Sequence, residues 1–166
     1  MSNCITQACS AALLAFTLML SSASHAGTDG LKPTTAASGV IASRSAYDVG
    51  ETVERLKKDI ANKGIVFFQE IDQAALAGKA GIELRPSILL IFGNPPLGTQ
   101  FVAANPQAGL DWPVRMLVYR DAQGAVWVAW TDFDWIARRH GVTSRDAQFH
   151  MASQVAASIA ASVANR

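Results

Sequence analysis

Residues 114–131 read Val-Arg-Met-Leu-Val-Tyr-Arg-Asp-Ala-Gln-Gly-Ala-Val-Trp-Val-Ala-Trp-Thr. Two β-prone runs, Val114 to Arg120 and Ala125 to Thr131, are separated only by Asp121-Ala-Gln-Gly124, which predicts a four-residue hairpin loop. A parallel pair would need a crossover of a dozen residues or more, so these strands are antiparallel neighbours. Val126, Val128 and Trp130 alternate with Trp127 and Ala129, which predicts a sheet at least partly covered on both faces.

Upstream, Ser87-Ile-Leu-Leu-Ile-Phe92 lies between Pro86 and the turn cluster Gly93-Asn94-Pro95-Pro96 and reads as a buried central strand. Ile65 to Ile71 reads as another strand, followed by an Ala-rich helix from about Gln73 to Lys79 that closes at Gly81. Asp48 and Glu51 predict a capping box for a helix whose Val49, Val53, Leu56 and Ile60 share one face and which stops at Gly64. Val40 to Ser45 forms a brief strand before it, and a short helix is expected near Thr99 to Ala104.

Downstream of the hairpin, Asp132 or Thr131 caps a short helix through Trp135 and Ile136, with Arg138, Arg139 and His140 in its last turn and Gly141 beyond. Thr143 with Asp146 then opens a long helix. Its stripe of Met151, Val155, Ile159 and Val163 packs on the sheet or on a partner chain. The order is β-α-β-β-β-β-α with two short helical insertions. A run of consecutive strands favours a two-layer α+β sandwich, mainly antiparallel with helices packed on it, over a doubly wound parallel sheet.

Composition agrees. Of 166 residues 50% are hydrophobic and 16% charged, with 14 Lys+Arg against 13 Asp+Glu, a balance that fits one globular domain rather than a disordered chain. It also argues against a nucleic-acid partner, which would require surplus clustered cation. Ala11 to Leu20 is an uncharged apolar run followed by small residues through Ala26, so residues 1–26 read as a signal peptide cut after Ala26. The run is too short for a permanent membrane span, and the expected location is periplasmic or secreted. Residues 27–38 read as a flexible leader and 39–166 as a single domain. Cys4 and Cys9 fall within the segment removed, so disulfides, thiolate catalysis and cysteine metal sites are not expected.

Asp48-Val-Gly-Glu-Thr-Val-Glu-Arg-Leu-Lys, Gly64-Ile-Val-Phe-Phe, Ile71-Asp72-Gln73, Gly81-Ile-Glu-Leu-Arg-Pro86, Phe92-Gly-Asn-Pro95 with Gly98-Thr99, Asp111-Trp-Pro113 and Arg139-His-Gly141 occur in that order. Across about residues 39 to 164 this set resembles the domain-of-unknown-function 302 family. The resemblance implies a TATA-binding-protein-like fold, in keeping with the order above, but no chemistry, because fold does not give function. Family members often carry Asp-His-Ala where this chain has Asp72-Gln73-Ala74. A glutamine neither titrates nor ligates metal well, so any proton or metal work done by that His is lost here.

The remaining candidates for chemistry are few. Beyond the leader only His140 and His150 remain, no His-Glu-x-x-His spacing occurs, and neither a metal nor a cofactor is expected. Gly-x-Ser-x-Gly is absent, and Phe92 to Thr99 lacks the Gly-Lys-Ser/Thr ending of a phosphate loop. His150 reads as a packing or surface residue. The candidate ligand-binding residues are Arg85, Asn94, Asp111, Trp112 and His140, with Asn94 expected beside Arg85 and the Asp111-Trp112-Pro113 loop. Trp112, Trp127, Trp130 and Trp135 fill the core, line a pocket or form an oligomer contact. Three functions follow. The first is a non-catalytic binding or accessory module for a small apolar or aromatic ligand. The second is an enzyme pairing His140 with Asp72 or Asp111 as acid and base. The third is a structural homodimer joined through the Val155/Ile159/Val163 stripe or an exposed sheet edge.

Overall fold

The computed structural model describes residues 34–35 and 38–165; the cut after Ala26 and both cysteines lie outside the described residues. The strands are β1 (Thr34–Thr35), β2 (Val40–Arg44), β3 (Val66–Asp72), β4 (Ser87–Gly93), β5 (Val114–Arg120) and β6 (Val126–Thr131). They form one sheet in the order β1-β2-β6-β5-β4-β3 with every pairing antiparallel. The helices are α1 (Val49–Asn62), α2 (Gln73–Lys79), α3 (Pro95–Ala104), α4 (Phe133–Arg139) and α5 (Asp146–Ala161), with a 3-10 turn at Pro106–Leu110. The fold is the expected α+β sandwich. Thr34 and Thr35, in the stretch read as leader, pair with Ala42 and Ile41 and add a short edge to the sheet.

Local chemistry departs from expectation at three helix starts. Asp48 caps α1 by accepting from the Glu51 amide at 2.9 Å. The reciprocal half of the capping box is not made, because the Glu51 carboxylate pairs instead with the guanidinium of Arg55 one turn on, at 2.8 Å. Helix α3 begins at Pro95, earlier than Thr99, since Asn94 caps it and proline at the first helical position has no amide to leave unsatisfied. Neither Thr143 nor Asp146 caps α5; Arg145 occupies the cap position and makes no side-chain bond there.

The core lies on one face of the sheet. Leu90, Phe92, Met116, Val118, Val128 and Trp130 point from the strands toward Val53, Leu56 and Ile60 of α1 and Phe149 and Ile159 of α5, all buried. Phe101 of α3 stacks on Phe149 with centroids 4.1 Å apart. The expected α5 stripe is only half used, with Ile159 and Val163 fully buried, Val155 half-buried and Met151 exposed, while Phe149, Ala152 and Ala156 of the same helix are buried. One glycine is indispensable to this packing. Gly39 has φ +75° and lies under the Trp135 ring, where a Cβ would stand 2.4 Å from the indole.

The opposite face is partly covered, as expected, with Leu89, Ile91, Leu117 and Trp127 half-buried. Its outward residues alternate with the core set, and among the described residues the largest buried apolar side chain on it is Ala129. Trp127 lies on this face and donates from Nε1 to Asp121 at 2.7 Å. That bond, with the Ala125 and Gln123 amides, holds the Asp121 carboxyl below the usual aspartate range.

Candidate functional site

Three segments meet where β4 ends: the Gly93-Asn94 turn with the first turn of α3, the Asp111-Trp112-Pro113 loop into β5, and the C-terminus of α4. Asp111 and His140 come together here, His140 Nε2 lying 2.6 Å from Asp111 Oδ2. A carboxylate only accepts, so the bond places the imidazole proton on Nε2. Their side chains are 3% and 4% exposed. Two residues not singled out by the sequence complete the cluster. Arg139 Nη1 reaches both Asp111 oxygens at 3.0 and 3.2 Å, and Arg115 Nη2 reaches Oδ1 at 2.9 Å. The only advance signals were that Arg115 follows Asp111 by four residues and that Arg139 precedes His140.

Both oxygens of the buried carboxylate are thus engaged by cations or by the imidazole. His140 also ends α4, its amide donating to Ile136 and its carbonyl accepting from Asn105 Nδ2 at 2.7 Å, so the cluster ties α4 to the 3-10 turn. Asp111 and Arg115 border a void of about 10 Å³, enough for one water. Asp72, the other carboxylate considered for His140, caps α2 by accepting from the Ala75 amide at 2.8 Å, at the far end of β4. Gln73 there accepts from the Ser87 hydroxyl at 2.8 Å. Among the described residues no group of three or more His, Cys, Asp or Glu is placed to hold a metal ion.

Asn94 and Trp112 share a second feature, an apolar cavity of about 40 Å³ walled also by Phe92, Leu97, Phe133 and Val155. The Trp112 indole is seated against two glycines, so that a Cβ at Gly98 would stand 1.6 Å from its Nε1 and one at Gly93 3.2 Å. Phe68 meets the ring edge-on at 6.3 Å. Outside the cavity, a groove of about 450 Å³ shares Ile65, Asn94, Leu97 and Val155 and adds the polar ends of Lys63, Gln154 and Ser158. Asn94 accepts from the Leu97 amide at 3.4 Å, and its amide nitrogen has no partner among the described residues.

Arg85 does not join the site. It precedes β4 whereas Asn94 follows it, and seven strand residues put roughly 20 Å between them, so the expected Asn94–Arg85 neighbourhood is corrected. Arg85 lines a separate groove of about 700 Å³ with Leu84, Leu117 and Tyr119. Of the other tryptophans, Trp130 is core, Trp127 is on the opposite sheet face, and Trp135 covers Gly39. His150 is exposed and bonds to Gln154 at 3.0 Å.

The fold is shared with the crystal structure of an uncharacterized conserved protein DUF302 from Bacillus stearothermophilus. The TM-score is 0.69 at 14% identity, covering 75% of this chain and 98% of that one. In sequence, 105 residues are 38% identical to fluoride-specific ion channel FluC 1 of Brucella suis biovar 1, covering 63% of this chain and 41% of that protein. The FluC 1 of Brucella abortus biovar 1 matches at the same identity over 39% of its length. The chain thus spans about two fifths of the curated relatives it matches. Among the described residues, no helix is long and apolar enough to cross a membrane. The model of the domain of unknown function DUF302 matches residues 41–165, three quarters of the chain, and the protein belongs to the DUF302 family.

Proposed function

We propose that this domain is an exported, non-catalytic binding or accessory module that holds a small molecule by its apolar end. The observation that carries the reading is the funnel at Trp112, where a groove with polar rims narrows to an apolar cavity with few titrating groups. Size decides what enters. An engineered cavity of about 150 Å³ takes benzene, so 40 Å³ is too small for a ring and suits one or two terminal carbons. The ring or chain body then lies in the outer groove, within reach of the Asn94 amide, which has no partner among the described residues, while Lys63 at the rim is held by Asp59 at 2.6 Å. The Brucella relatives support the accessory half of the proposal. They are named as fluoride-specific channels, the match spans two fifths of them, and the matching domain here has no membrane-crossing helix among its described residues.

The alternative, an enzyme using His140 with Asp111 as acid and base, has the 2.6 Å contact in its favour. Against it stands the absence of space. The void beside the carboxylate holds one water, and both oxygens are already engaged by Arg139 and Arg115.

Octanoate is a suitable probe for the funnel. Titration should shift the Trp112 indole resonance saturably, with a Kd of about 1 mM or tighter. Ala152→Val, which adds two carbons to the cavity wall, should remove the response while leaving the fold intact. A Trp112 signal that does not move, or moves equally in both proteins, would sink the reading. For export, the intact mass of protein from the exported fraction should correspond to a chain starting at Gly27. An uncut leader there would overturn that part.

A further inference from the structure

Residues 73–86, comprising α2 and the extended segment after it, contain no buried side chain. Leu76, Ile82 and Leu84 are 54%, 60% and 48% exposed, three large apolar groups on one fourteen-residue arm. The arm stands beside the sheet face that the helices leave uncovered, and the groove of about 700 Å³ between them is walled by Glu83 to Ser87 on one side and Leu117, Tyr119 and Arg120 on the other. That face presents half-buried Leu89, Ile91 and Leu117 around the buried Ala129 at its centre, by the alternation of β4, β5 and β6. We infer that this face binds a second copy of the chain, each arm lying over the sheet of the other copy in a two-fold dimer.

Three observations commit the surface to that occupant. One molecule carries both halves of the contact, an apolar arm and an apolar face, so a two-fold axis satisfies both at once and closes the assembly. The area is sufficient. Five strands at about 4.8 Å spacing and roughly 20 Å length give about 500 Å² per copy, and the arm raises this toward the ~800 Å² per partner of a stable interface. One ion pair is also available across the contact. Glu83, the arm's one acid, makes no ion pair among the described residues, and neither does Arg44 on the face, whereas Arg115 is already held by Asp111. The α5 stripe cannot serve instead, since its Ile159 and Val163 are already in the core. The Trp112 cavity lies on the helix side of the sheet, so the dimer and the ligand are independent of each other.

Sedimentation velocity on the full chain tests it. The wild type should be a dimer at about 100 µM. Leu117→Arg, which puts a charge at the centre of the face, should raise the dissociation constant at least ~100-fold while the monomer keeps its folded far-ultraviolet circular dichroism, because Leu117 is outside the core. Leu84→Asp on the arm should do the same, and it decides the matter should Leu117→Arg misfold, since Leu84 is half exposed and packs on nothing in the core. A monomeric wild type, including one that binds only some other protein, overturns the inference, as does a dimer that survives both substitutions.

Discussion

Asp111→Ala is expected to destabilise the domain by about 3–5 kcal/mol, the usual cost of removing one partner from a buried charge cluster. With this carboxylate gone, His140 keeps its buried position without its 2.6 Å partner, and two guanidinium groups face each other with no anion between them. For a domain of this size the melting temperature should fall by roughly 10–20 °C. Arg139→Ala and Arg115→Ala should cost far less, about 1 kcal/mol or below, because those side chains are 44% and 48% exposed and water replaces part of what is lost. Thermal or urea denaturation of the three variants measures the contrast. Equal small losses in all three would mean that the cluster is not what ties α4 to the Asp111 loop. Asp111→Asn separates the structural from the catalytic role. The variant loses stability in either case; only if the pair does acid–base work does it also lose a reaction, whereas a purely structural pair leaves the octanoate shift of the Trp112 resonance in the protein that still folds.

Gly98→Ala is the second large effect. Alanine is the better helix former by about 1 kcal/mol, and on propensity alone the change would stabilise α3. Sterics win, because the new Cβ would stand 1.6 Å from Trp112 Nε1 and 2.2 Å from Cδ1, closer than any side-chain contact allows. Trp112 must leave its seat. The expected cost is about 2–4 kcal/mol, accompanied by loss of the near-ultraviolet circular dichroism of the packed indole and of the response to octanoate. Gly50→Ala in α1 is the matched control. Its Cβ meets only the Asp48 carboxylate oxygen at an ordinary 3.6 Å, so the same substitution should be neutral or stabilise by about 0.5–1 kcal/mol. A Gly98→Ala protein that melts with the wild type and still reports octanoate through Trp112 would refute both the seat and the funnel.

Much of the candidate site was visible in outline. Asn94, Asp111 and Trp112 stand out in the sequence as loop residues at the rim of the sheet, and His140 as one of two histidines beyond residue 26, set at a helix end in Arg139-His-Gly141. What linear reading could not supply was their pairing. Asp111 and His140 are 29 residues apart and Asp111 and Arg139 are 28, with no periodicity linking them. Arg85 shows the converse error. It lies nine residues before Asn94, close in sequence, yet an extended strand carries the chain about 3.4 Å per residue and leaves the two at opposite ends of the sheet.

Sequence alone determined the antiparallel class of the sheet, since a four-residue loop between two β runs admits no crossover. It likewise determined which face of α1 turns inward, because the apolar period of Val49, Val53, Leu56 and Ile60 has only one way to leave water, whereas α5 buries Phe149, Ala152, Ala156 and Ile159 and leaves Met151 of its expected stripe exposed. Tertiary structure decided the rest. Whether one sheet face or both would be covered, which carboxylate His140 would meet, and that Trp112 would seat against Gly98 all depend on distances between segments remote along the chain. Such distances are set by how the helices pack on one face of the sheet, a property of the whole domain that no local pattern of residues encodes.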